Sequence, residues 1–223
     1  MKNNNFIKLI TITLTTAFIF CGCGKNTVET TSQNNSTIQT NDTISEDENE
    51  ENTEMLSGKH QVNIVIKDKG TISVELDADA AHITVTNFVK LAESGFYDGL
   101  VFHRIIEDFM MQGGDPTGTG AGGSDETIKG EFAENGIENP LSHTRGAISM
   151  ARSMDNNSAS SQFFIVHEDS TYLDGQYAAF GYVTEGMEIV DDICENTEGG
   201  DQNGIIPEEN RPVIETISIA HAE

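Results

Sequence analysis

From residue 59 onward, apolar and polar positions alternate with a period of two. In VNIVIKD, Val62, Ile64 and Ile66 alternate with Asn63, Val65 and Lys67, and GTISVEL takes up the pattern after Asp68-Lys69-Gly70. That predicts a hairpin of two half-buried strands. The period then changes: Val85, Phe88, Val89 and Ala92 fall at i, i+3, i+4 and i+7, with Gly95 as a stop signal. A helix of about three turns over residues 81–93 is the reading, with one face packed on a sheet. Between residues 99 and 183 the chain breaks into short apolar runs, LVFHRII, FMMQGG, AISMA, QFFIVH and AAFGYV, separated by glycine and polar turns. This spacing suits an antiparallel barrel or sandwich. A second helix over about 187–195 sets Ile189, Val190, Ile193 and Cys194 on one side, and VIETISIA closes the pattern as a strand. One mainly-β domain over 59–223 with two helices accounts for all of these runs.

Residues 25–58 break that pattern, being Asn, Thr, Ser, Gln, Asp and Glu with sparse apolar residues at Val28, Ile38, Ile44, Met55 and Leu56. Such a composition cannot bury a core, so an unstructured tether is expected, spanning about 30–35 Å as a flexible coil and further through its acidic stretch. Before it, two lysines precede an uncharged run over residues 9–20, too short to cross a bilayer. This reads as a signal peptide, residues 1–22. The run ends at Cys21-Gly22-Cys23, which resembles a bacterial lipobox with Cys23 as the lipidated residue, although Phe20 and Cys21 depart from the usual Leu and small residue. A plain signal peptide is the alternative. Two acyl chains on Cys23 would hold the domain at the membrane on the extracytoplasmic face.

The formal charge of -25 argues against nucleic acid, which needs clustered Lys and Arg, and against adhesion of the protein surface to anionic lipid. Cys194 would have no disulfide partner in the processed chain and reads as a small buried hydrophobe. The six histidines lack paired ligand spacing, so no metal and no cofactor are expected. Gly118, Gly120 and Gly123 satisfy G-x-G-x-x-G, yet no strand leads into them and no amphipathic helix follows, so they read as a flexible loop. Ser149, Ser160 and Ser161 have no G-x-S-x-G elbow around them, which argues against a serine hydrolase.

One constellation remains. Arg104 lies inside an apolar run, Phe109, Met110 and Gln112 follow it, and Gln162, Phe163 and Phe164 lie in another. A lone strand arginine reads most simply as a solvent-facing residue in an ion pair. With the aromatic and amide groups, the alternative is a concave apolar groove holding one fixed cation, as a peptide-binding site requires.

FHRIIEDFMMQGGD, ETIKGEF, HTRGAISMAR, SSQFFIVH and YLDGQYAAFG, in this order, resemble the signature blocks of cyclophilins, especially the bacterial branch, along nearly all of residues 60–219. The resemblance implies a closed eight-stranded antiparallel barrel capped by two helices and a peptidyl-prolyl cis/trans isomerase. It assigns Arg104, Gln112 and Phe109 to catalysis. It places Met110, Ala151, Arg152, Gln162, Phe164, Tyr172, Leu173 and Tyr177 at the bound peptide, with Phe109, Met110, Phe164 and Leu173 around the proline. The implied partners are proline-containing unfolded or flexible polypeptides, bound by a monomer without cofactor or ATP. Three positions depart from the family pattern: Tyr172 stands where Trp is common before L-D-G, Arg152 where Asn is frequent, and His82 at a usual helix-start Pro. The first puts cyclosporin sensitivity in doubt and the second implies altered substrate preference. A non-catalytic proline-binding module or holdase, and a tethered adhesion protein, are the competing readings.

Overall fold

The structure, a computed structural model, describes residues 55–220. The signal peptide, Cys23 and the tether up to residue 54 lie outside the described residues. Residues 55–58, assigned to the tether from composition, are joined to the domain: the Leu56 N–H donates to Thr86 Oγ1 at 2.9 Å, and its side chain packs against the core.

Among the described residues there are eight strands: β1 (Lys59–Ile66), β2 (Gly70–Asp77), β3 (Phe102–Ile106), β4 (Met110–Gly113), β5 (Ala147–Met150), β6 (Phe163–Val166), β7 (Ala179–Glu185) and β8 (Ile214–Ala220). Two helices, α1 (His82–Glu93) and α2 (Met187–Asn196), lie within a residue of their expected positions. The hairpin of β1 and β2 turns where Asp68 adopts φ 61°, a left-handed conformation that Asp tolerates better than most residues. Val62, Ile64 and Ile66 all face the core.

All pairings are antiparallel, in the order β3-β4-β6-β5-β7-β2-β1-β8. The closed barrel implied by the resemblance is therefore corrected: the ladder is an open, curled sheet with β3 and β8 at its edges. The reason is that the outer edge of β3 is already engaged. Ile105 donates to the Gly204 carbonyl at 2.8 Å, and Ile206 donates to that of His103 at 2.9 Å. Near β8 the seam is bridged by Val101 opposite Val213, next to Pro212, which has no N–H to extend a ladder.

Inside the curl, Phe88 of α1 packs among Tyr97, Phe163 and Phe180 with ring centroids 5.1–5.4 Å apart, geometry that aromatic pairs favour. Ala81 caps α1 without a side-chain bond. The buried Glu131 carboxylate takes that role by accepting the N–H groups of Ile83 and Thr84 and the Thr84 hydroxyl. A second, smaller apolar cluster of Met110, Ala147, Phe164 and Val166 is separate from the main core. Strands β5 and β6 are thus buried on both faces, which is why AISM and FFIV are apolar at every position but Ser149.

Candidate active site

The second cluster is the floor of a cavity. Register places Arg104 opposite Gln112, Gln112 opposite Phe164, and Phe164 opposite Ser149, so one row of side chains crosses β3, β4, β6 and β5. Residues directly opposite on antiparallel strands have Cβ atoms about 4.5–5.5 Å apart, close enough to interact. Arg104, Gln112 and Phe164 of this row form one wall of a cavity of about 170 Å³ lined by Arg104, Phe109, Met110, Gln112, Ala151, Arg152, Phe164, Leu173 and Tyr177. That volume suits a small apolar ring. Nine of the eleven residues that the sequence assigns to catalysis and peptide binding meet here.

The other two stand beside it. Gln162 donates to the neighbouring cleft's Gly120 and Gly122 carbonyls at 3.1 and 2.7 Å. Tyr172 is 64 % exposed and does not line the cavity; its ring stands 6.1 Å from that of Phe109.

Arg104 is not a solvent-facing strand residue in an ion pair. Its Nε donates to the Asn203 carbonyl at 2.9 Å and its Nη1 to Gln112 Oε1 at 3.3 Å. No carboxylate pairs with it among the described residues. The Met110 sulfur lies 3.9 Å from Nη1, and the Phe109 ring centroid 6.0 Å from Cζ. Burial lowers the affinity of the guanidinium for its proton, opposed by Tyr177, Asp201 and Tyr172, yet arginine stays a cation at any ordinary pH. Nη2 has no hydrogen-bond partner among the described residues, and Arg104 lines the cavity.

A chain of amides holds Arg104 from the other side. Gln112 Nε2 donates to Gln162 Oε1 at 2.9 Å, and Gln162 in turn is held by the glycine loop. That loop, expected to be flexible, is wound around one carboxylate: Asp115 accepts the N–H groups of Thr117, Thr119, Gly120 and Gly122 at 2.6–3.2 Å. Burial would raise the Asp115 carboxyl, but these bonds hold it below its ordinary range.

On the far side, His143 stacks on Phe164 with centroids 6.0 Å apart. Its Nδ1 is 2.8 Å from Asp174 Oδ1 and its Nε2 is 2.9 Å from Ser149 Oγ. This Asp-His-Ser arrangement has the connectivity of a hydrolase triad, yet Ser149 and His143 are both fully buried. No acyl group could reach the hydroxyl, so the trio acts as packing behind Phe164. Cys194 is buried as expected, which pushes its thiol up to about 12.

Comparison with known proteins settles the family. The model of the cyclophilin type peptidyl-prolyl cis-trans isomerase/CLD family matches residues 61–223. The chain belongs to this family. Peptidyl-prolyl cis-trans isomerase B of Bacillus subtilis is 47 % identical over 137 residues, covering 61 % of this chain and 90 % of the relative. A peptidyl-prolyl cis-trans isomerase of Helicobacter pylori is 46 % identical over 127 residues, 56 % and 75 % of the two chains. A cyclophilin type isomerase of Cryptosporidium parvum, crystallised in the presence of the dipeptide Ala-Pro, superposes with a TM-score of 0.64 at 32 % identity. The match covers 73 % of this chain and 99 % of that one.

The sequence reading missed four supports of the cyclophilin site: Asp115, the Asn203 carbonyl, Asp201 beside it, and His143. Two carry a local signal. Asp-Pro-Thr-Gly at 115–118, and Asp-x-Asn-Gly at 201–204, are turn signatures in which a carboxylate accepts nearby backbone N–H groups.

Proposed function

We propose that this cyclophilin accelerates cis/trans rotation about X-Pro bonds, with the proline ring in the cavity of Phe109, Met110, Phe164 and Leu173. The observation that supports this most is Arg104 in the cavity wall, whose Nη2 has no partner among the described residues while Nε and Nη1 are fixed. Rotation faces a barrier of about 18–20 kcal/mol because resonance gives the C–N bond partial double-bond character. In the planar amide the nitrogen lone pair is delocalised and accepts no hydrogen bond. Twisting the bond localises the pair on nitrogen, and a guanidinium N–H can then donate to it. Arg104 thus stabilises the twisted state more than either planar state, the condition for catalysis. An apolar, partly enclosed cavity strengthens that bond and exchanges little solvent during the turn. No covalent bond is made or broken, so neither a titrating acid nor a base is needed.

The setting follows from the N-terminal reading. With a lipid on Cys23 and an acidic tether, the domain would act on exported or surface polypeptides, held at the membrane and free to reorient. Uncatalysed X-Pro exchange takes tens to hundreds of seconds, slow enough to limit the folding of such chains. The test is exchange NMR on an X-Pro peptide with the full chain, joined by metabolic labelling with a fatty-acid probe in wild type and Cys23→Ala. Line broadening at catalytic enzyme concentrations, and label lost in the variant, are the expected results. Peptide exchange unchanged by the enzyme would overturn the isomerase reading, and label retained in the variant would overturn Cys23 as the anchored residue and leave Cys21.

A further inference from the structure

Beside the proline cavity lies a second cleft of about 520 Å³, and the two share Gln112, Ala151 and Arg152 in their walls. The remaining lining of the second cleft is small and polar, from Gly120 to Ser124 on one side and Ser153, Ser158 and Ser160 on the other. Across both linings the charged side chains are Arg104 and Arg152, with no carboxylate. The full chain, by contrast, has a formal charge of -25. Arg152 stands at the shared wall. Its Nε and Nη2 donate to the Gln176 carbonyl at 3.0 and 2.8 Å, and its Nη1 to the Ser153 carbonyl at 2.9 Å. The guanidinium is fixed between the rings of Phe132 and Tyr177, with centroids 5.0 and 4.7 Å from Cζ.

All of these partners are neutral. Three of the five N–H donors are spent on backbone carbonyls, no carboxylate lies within ion-pair distance, and two donors remain without a partner among the described residues. An arginine held rigid but not neutralised costs little further ordering when an anion arrives. At physiological ionic strength the screening length is about 8 Å. Asp155 and Glu126 neighbour the serines of the cleft but do not line it, so a peptide in the groove meets the two arginines directly.

We infer that the cleft next to the proline cavity binds an aspartate or glutamate flanking the proline, and that Arg152 determines this preference. The inference rests on the isomerase reading for the site but is tested by binding. Proline peptides with a single Glu, Gln or Lys at each of the two positions before and after the proline are titrated into the labelled protein, near physiological ionic strength. At one of these positions, affinity is expected to fall in the order Glu, Gln, Lys, with about threefold to fivefold between the extremes, as for a partly exposed ion pair. In Arg152→Gln the three affinities converge, and in Arg152→Lys, which keeps the charge, the order is retained; amide spectra verify that each variant is folded. Equal affinities at every position in wild type, or an order that survives Arg152→Gln, overturns the inference. Exchange rates on the same peptides report separately on catalysis, so a protein that selects acidic peptides without turning them over would contradict the isomerase reading alone.

Discussion

Arg104 and Asn203, 99 residues apart in the chain, meet where the Nε of one donates to the backbone carbonyl of the other at 2.9 Å. A backbone carbonyl cannot be removed by substitution, but the turn that presents it can be loosened. Asp201 Oδ1 accepts the N–H of Asn203 at 2.8 Å and that of Ile205 at 2.9 Å, and these bonds hold its carboxyl below the ordinary range.

Asp201 is therefore a positioning residue. Asp201→Ala should lower kcat by about tenfold with little change in KM, short of the ~100-fold that a misplacement of about 1 Å can cost. Asp201→Asn keeps an oxygen for both N–H groups and should restore most of the rate. Steady-state kinetics on one X-Pro peptide checks both. The unfolding midpoint of Asp201→Ala, measured beside its rate, separates lost positioning from lost fold.

The loop of residues 117–122 makes a second prediction. A Cβ at position 122 would collide with the Asp115 carboxylate and lie 2.9 Å from Thr117 side-chain atoms. Gly122→Ala should cost about 1–3 kcal/mol of stability by overpacking. It should also shift the carbonyls that hold Gln162, and through it Gln112, raising KM for proline peptides. Denaturant unfolding and KM measured together test this; a stability loss with KM unchanged would detach the loop from the site.

Stability should depend on pH through two buried histidines. Burial lowers the proton affinity of His103, with Asp115 opposing and Arg211 and Arg104 reinforcing, and it lowers that of His143 against Asp174. Below about 6.5 the unfolded chain binds protons that the folded one refuses, so stability is full above this pH and falls as pH drops toward the lower folded values. Each tenfold loss of proton affinity is worth about 1.4 kcal/mol. Asp115 and Asp174, held low by hydrogen bonds despite burial, add a separate loss only below about pH 4. The urea midpoint should be level between pH 7 and 8 and decline below 6.5, less steeply in His103→Gln. A midpoint that rises on acidification would contradict the assignment.

Where one face of a strand meets solvent, the sequence was informative: Val62, Ile64 and Ile66 announce β1 by alternation. Where both faces are covered, as in β5 and β6, alternation vanishes and only the apolar run remains. Five residues of the cavity, Arg104, Phe109, Met110, Gln112 and Phe164, were legible because they lie in short contiguous blocks joined by strand register, whereas Ala151, Arg152, Leu173 and Tyr177 were placed by the resemblance alone. Their supports were not legible. Asn203 contributes a backbone atom, Asp115 acts on a loop of small residues through its backbone N–H groups, and His143 reaches Ser149 and Asp174 by folding alone. Closure was misjudged for a related reason, because nothing in LVFHRII tells that its outer edge pairs with residues 204–206 and leaves β8 apart.

The central claim is that a fixed guanidinium acts on the twisted amide, and the rate of Arg104→Ala beside wild type in an X-Pro exchange assay tests it most directly. The account predicts that most of the catalysed rate disappears while the amide spectrum and unfolding midpoint stay close to wild type. It also predicts that wild-type activity is level between pH 6 and 8, since arginine does not titrate there. A folded Arg104→Ala protein that isomerises the peptide as fast as wild type would contradict it.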